Sequence, residues 1–144
     1  MKKIFLSAPI SGFNSDLEYN ENREILIDLI KAIRVKNSIY SEVENFNNLC
    51  NYDEPGKSAQ DDFKHIKESS IFILYHPKRM QTSSLIELGY AIALEKHIII
   101  ISKKEVLPYL ALGLGSVLPS CHFIELSNVK FKLIEEVVDF IEAI

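Results

Sequence analysis

The chain has 144 residues, 47% of them hydrophobic and 25% charged, with few Gly or Pro. That balance fits one soluble globular domain over residues 1–144. A net charge of −4, with both signs mixed and no basic block, gives no pull toward nucleic acid or an anionic membrane.

Elements follow in alternation. The opening MKKIFLSAPISGF has two lysines, as a secretion signal would. Its apolar run is broken by Ser7 and Pro9, so KIFLSA (Lys3 to Ala8) is read as a first strand, stopped by Pro9 and Gly12. From about Asn20 to Lys36, Ile25, Leu26, Leu29, Ile30 and Ile33 recur at helical spacing. Ser38 to Val43 is a weaker strand candidate. Glu44 to Gly56, dense in Asn, Asp, Pro and Gly, reads as a long loop. A helix is expected from about Ser58, its N-cap, to Glu68. SIFILYH (Ser70 to His76) is a buried strand, and PKRMQT is the loop after it. Ser83 or Ser84 caps the next helix, and HIIIIS (His97 to Ser102) is the most buried strand by composition. A Pro- and Gly-containing helical piece (Lys104 to Gly115), a strand CHFIEL and an amphipathic helix from about Asn128 to Ile144 complete the chain.

Strands separated by helix-length segments pair in parallel through right-handed crossovers. Continuously apolar strands such as SIFILY and HIIII suit a sheet covered on both faces. The expected fold is therefore α/β: a three-layer, flavodoxin-like or Rossmann-like doubly wound sheet of five parallel strands in the order 2-1-3-4-5. Such sheets bind ligands at the carboxyl ends of their strands, near the switch between strands 1 and 3. That rule selects the loops after strands 1, 3 and 4. No stretch reaches the roughly 18 apolar residues that span a bilayer, and a cytoplasmic location is expected.

Within those loops, Glu87 occupies the opening turn of an apolar helix. The positive helix end favours an ionised carboxylate there, and carboxylates attack anomeric carbons well because the transition state resembles an oxocarbenium ion. Acids at this position also serve merely to complement the dipole. Asp62 and Asp61 lie on the preceding helix. Asp62 is the better inward candidate, and a close carboxyl pair separates its proton affinities into an acid and a base. The first loop offers Ser7, Pro9, Gly12 and Phe13: Gly12 permits close backbone approach, while Phe13 stacks on a base or tucks into the core. His76, Lys78, Arg79, Gln81, Ser83 and Ser84 could hold a phosphate or ribose. Neither GxGxxG nor GxxxxGK[ST] is present, nor is a GxSxG elbow. His65, His76, His97 and His122 show no metal-ligand spacing, so no metal and no cofactor is expected. Cys50 and Cys121 show no CxxC spacing and read as reduced thiols.

These pieces resemble the nucleoside 2-deoxyribosyltransferase family and the related 2′-deoxynucleoside 5′-phosphate N-hydrolases. KIFLSAPISG is similar to the family's first strand and loop, K-I-Y-L-A-G-P. The stretch from Asp62 to Tyr75 is similar to its Asp followed by an apolar strand, and ELGYAIALEKHIIII to its E-[LI]-G-Y-A-x-A-x-x-K and following strand. The matched pieces cover about half the chain. The resemblance implies a nucleophilic Glu at Glu87 and a supporting Asp at Asp62. Gly89 and Ala91 are read as small residues permitting close helix–sheet contact. The chain departs from the family in having Gln81, Thr82, Ser83 and Ser84 without a Gly before Glu87, and Ser70 where an Asp is frequent. A partner subunit completes the transferase pocket, for which Ser116 or Ser120 is the nearest candidate.

The expected activity is therefore cleavage or transfer at the N-glycosidic bond of a nucleoside or nucleotide. A TIR-like enzyme consuming NAD is the second reading, and a non-catalytic nucleotide-sensing module the third. A response-regulator receiver is disfavoured, because Ser7-Ala8-Pro9 and His76-Pro77 stand where it needs acids. A surplus of apolar positions on the terminal helix (Leu133, Ile134, Val137, Val138, Phe140, Ile141, Ile144) suggests a homodimer or larger assembly.

Overall fold

The computed structural model describes residues 1–46 and 54–144. Five parallel strands, β1 (Lys3–Ser7), β2 (Ser38–Tyr40), β3 (Ile71–His76), β4 (His97–Ser102) and β5 (Cys121–Glu125), form one sheet in the order β2-β1-β3-β4-β5. This is the expected order. β3 pairs with β1 from Ile4↔Ile71 to Ser7↔Leu74, and with β4 over its whole length. The carboxyl ends of β1 and β3 therefore lie side by side.

Alternation of side chains across the pleat builds two cores. On one face, Ile4, Leu6, Ile71, Ile73, Ile99 and Ile101 pack against helix α1 (Asp16–Arg34) and helix α6 (Lys130–Ala143). On the other, Phe5, Phe72, Leu74, Ile98 and Ile100 meet Ile66 of helix α2 (Pro55–Glu68) and Leu88 and Ala91 of helix α3 (Ser84–Ala93). All six residues of β3 are buried, which is why that strand carries no polar alternation.

Several boundaries move from their expected places. α1 begins at Asp16, four residues early, because Ser15 Oγ accepts from the Glu18 N–H and caps it. The β2 candidate shrinks to three residues and gives way to a short 3₁₀ turn at Glu42–Glu44. α2 starts at Pro55 with Glu54 as its cap, so Ser58 lies inside the helix. Proline suits that first position, where the missing N–H costs nothing. The start of the expected 44–56 loop is thus turn and its end helix; Cys50 and the rest of that loop lie outside the described residues. Ser83 holds the N-cap position of α3 without a side-chain bond, and the Ser84 N–H donates to Thr82 Oγ1. The Lys104 to Gly115 piece divides into a 3₁₀ turn (Lys104–Val106) and the short helix α4 (Tyr109–Leu112), with α5 (Leu114–Val117) after it.

Two packing expectations change as well. Ala91 is fully buried against the sheet, but Gly89 is exposed and a Cβ there would meet nothing within 4 Å. Most of the apolar positions of the terminal helix enter the core, where Leu133, Val137 and Ile141 are buried and Ile134, Val138 and Phe140 pack beside them, while Phe131 and Ile144 stay exposed. Among the described residues no helix is long and apolar enough to cross a membrane.

Candidate active site

A cavity of about 140 Å³ opens at the carboxyl ends of β1 and β2, roofed by α2 and the start of α3. Its walls are Phe5, Leu6, Val43 and Phe46 on the apolar side, and hydroxyls from Ser7, Ser41, Ser58, Thr82, Ser83 and Ser84 on the polar side. Three carboxyl groups, Glu42, Asp62 and Glu87, also line it.

Each acid is delivered by a different element. Glu87 stands in the first turn of α3, where its backbone N–H donates to Ser83 O at 3.1 Å. Asp62 is brought in by α2, which packs against both β1 and α3. Glu42 opens the turn after β2, a segment bound to α1 by several contacts. Arg34 forms a bidentate pair with Glu44 at 2.6 and 2.8 Å and donates to Ile39 O. Arg23 Nε donates to Val43 O at 3.1 Å, and Tyr19 O–H to Phe46 O at 2.6 Å.

The carboxyl chemistry follows from burial. Ser7 O–H donates to Glu87 Oε1 at 2.7 Å. Asp62 Oδ1 and Glu87 Oε2 are buried and find no donor among the described residues, while the two carboxyls lie within hydrogen-bonding reach of each other. One proton held between them satisfies both. Burial, then the charge of Glu87 and the nearby Glu42, pushes Asp62 up to about 9. Burial raises Glu87 too, opposed by bonds from Ser7 and Asp62. The bond between the two raises Asp62 and lowers Glu87, which favours the proton on Asp62 over Glu87.

Of the residues singled out from sequence, the structure brings together Glu87, Asp62, Ser7, Ser83 and Ser84. The others stand apart from this cavity. Pro9 is buried at the end of β1, and Gly12 is exposed, with a φ of +94° and Met80 and Gln81 beside it. Phe13 tilts against Tyr19 at 5.8 Å with Lys78 Nζ over its ring, so it neither stacks in the cavity nor joins the core. Lys78 is paired with Glu18 at 2.5 Å and Arg79 donates to Glu105 O at 2.8 Å. His76 is buried, burial depresses its pKa, and its carbonyl accepts from Ser102 Oγ at 2.6 Å. Gln81 is exposed, and Ser116 and Ser120 do not line the cavity. No group of His, Cys, Asp and Glu among the described residues could hold a metal ion.

Sequence reasoning missed Glu42, Ser41, Phe46, Ser58 and Thr82. The carboxyl-end rule applies equally to β2, and extending it to the SEVE stretch would have found Ser41 and Glu42.

No family model and no curated protein matches the chain. Among solved structures it is similar to the CMP N-glycosidase BcmB of Clostridium botulinum, at 23% identity over 94% of this chain and 98% of that one, with a TM-score of 0.73. It is similar to BlsM at 17% identity over 98% and 94%, with a TM-score of 0.68. A conserved protein from Enterococcus faecalis aligns at 15% identity over 97% and 99%, with a TM-score of 0.58. At these identities the likeness is one of fold.

Proposed function

We propose that the cavity is the active site of an N-glycosidase acting on a nucleoside or nucleotide, with Glu87 as nucleophile and Asp62 as proton donor. The observation that carries this reading is the half-buried Asp62–Glu87 pair in a cavity at the carboxyl ends of β1 and β2. The similar fold of a CMP N-glycosidase supports the same reaction class.

The chemistry balances as follows. Glu87 attacks C1′ as the C1′–N bond breaks, and the departing base takes the bonding pair. Asp62 supplies a proton to that base, so it leaves neutral. Water then attacks C1′, returns a proton to Asp62 and releases Glu87; a second base in place of water gives transfer instead. Ser7 holds one Glu87 oxygen in place while the other faces the reaction. With Glu87 as nucleophile, a covalent or ion-paired glycosyl intermediate forms on its carboxylate.

Incubation with deoxynucleosides, ribonucleosides, their 5′-monophosphates and NAD, followed by chromatography, tests the reading. Release of free base supports it, nicotinamide release from NAD alone selects the TIR-like version, and binding without product selects the sensing module. A homodimer or larger assembly belongs to the same proposal. It is supported by exposed Tyr109, Leu110 and Val117 on α4 and α5, and by exposed Phe131 on α6 and Ile144 after it, and light scattering decides it.

A further inference from the structure

Glu42 enters the site as the third member of a row of carboxyl groups. Asp62 sits in the middle, within hydrogen-bonding reach of Glu42 on one side and Glu87 on the other. Both outer members accept from a hydroxyl: Ser7 O–H donates to Glu87 Oε1, and Tyr40 O–H to Glu42 Oε1. Burial raises the Tyr40 phenol well above its ordinary value, so it stays a donor. The Tyr40 ring is itself fixed by stacking on His65, with centroids 3.6 Å apart and planes 7° from parallel. His65 Nδ1 in turn lies 2.7 Å from Asp61 O. A hydroxyl at each end reserves the outer carboxyls as acceptors. The middle group is the one that can donate to either neighbour.

We infer that Glu42 is a positioning residue that keeps the proton on Asp62 and off Glu87. Its catalytic meaning rests on the N-glycosidase reading, because it leaves a neutral acid for the base beside an anionic nucleophile for the sugar. The placement of the proton does not depend on that reading. The groups facing Asp62 are Glu87 from α3, Ser7 from β1, and Glu42 and Tyr40 from β2 and its turn; Asp61 and His65 share its helix. Of these, Glu42 and Glu87 act on Asp62 through both charge and a hydrogen bond; on Glu87, Glu42 acts by charge alone, the smallest of the causes there, so its net effect favours the proton on Asp62. Glu42 is the one whose removal leaves the nucleophile intact.

Carboxyl-carbon NMR titration of the free protein, with Asp62→Asn assigning the signal, reads the proton directly. In Glu42→Gln the Asp62 midpoint falls by about one pH unit or more, and in Tyr40→Phe it falls by less, because the donor that reserves Glu42 is gone. Base release by Glu42→Gln loses its alkaline limb at correspondingly lower pH, so for a one-unit fall kcat drops about twofold at pH 8 and about tenfold at pH 10, while KM changes little. An Asp62 midpoint within roughly 0.3 unit of wild type in both variants overturns the inference. If the wild-type protein releases no base from any substrate, the N-glycosidase reading fails, and the titration alone still decides where the proton sits.

Discussion

Asp62 couples the site to stability, with a definite sign. Its folded pKa of about 9 lies above the ordinary 3.8, so between those values the native state binds more protons than the unfolded chain. Stability then falls as pH rises: the contribution is complete below about pH 4 and is lost on approach to about pH 9. From 3.8 to pH 8 is about four units, or about 6 kcal/mol at 1.36 kcal/mol per unit for a carboxyl wholly removed from water. Asp62 is only half-buried, and solvent screening reduces this to about 2 kcal/mol. The perturbation is Asp62→Asn, which keeps the shape and removes the titration. Urea unfolding should find the variant about 2 kcal/mol more stable than wild type at pH 8, and only about 0.5 kcal/mol more stable at pH 5. His76, whose pKa burial lowers, gains stability as pH rises, but it is present in both proteins and cancels from the difference. A difference that is constant with pH, or that favours wild type at pH 8, would refute the reasoning.

Ser7→Ala removes the hydroxyl that lowers the proton affinity of Glu87; kcat/KM for base release should fall about tenfold, with the acidic limb of the pH profile moving up. Gly89→Ala should raise stability by about 0.5–1 kcal/mol in urea, since the position is helical, exposed and free of contacts on its Cβ vector. Gly12→Ala should cost about 1–2 kcal/mol through its positive φ, the Met80 methyl being able to move aside, and a thermal melt reads the loss.

The sheet was legible because β3 and β4 have continuous apolar centres, Ile71–Tyr75 and Ile98–Ile101, and each is followed by a helix-length segment, a pattern that suits a doubly wound parallel sheet. The start of α1 was legible too, in the S-x-x-E of Ser15 and Glu18, but the apolar periodicity from Ile25 onward drew the boundary inward. Pro55 was read as a loop residue when its position one step into a helix was equally open. At the site, Glu87 and Asp62 stand out because helix starts and helix faces are local properties. Their proton affinities are not. The helix dipole argues for a lowered Glu87, whereas burial beneath α2 and the charge of Glu42 raise it, and neither influence exists until the chain has folded. Glu42 lies at the carboxyl end of β2, where the same rule that selected the other loops points, but its contact with Asp62 of α2 is not a local property of the SEVE stretch. Phe13 and His76 looked functional by type; the structure sets Phe13 against Tyr19 and Lys78 and buries His76 at the end of β3, both outside the cavity.

The central claim is that Glu87 does the chemistry, and Glu87→Gln tests it most directly. Chromatography of the substrate panel should show base release by wild type lowered at least about a thousandfold in the variant, with an unchanged circular dichroism spectrum. Turnover equal to wild type in a folded Gln variant would contradict the account.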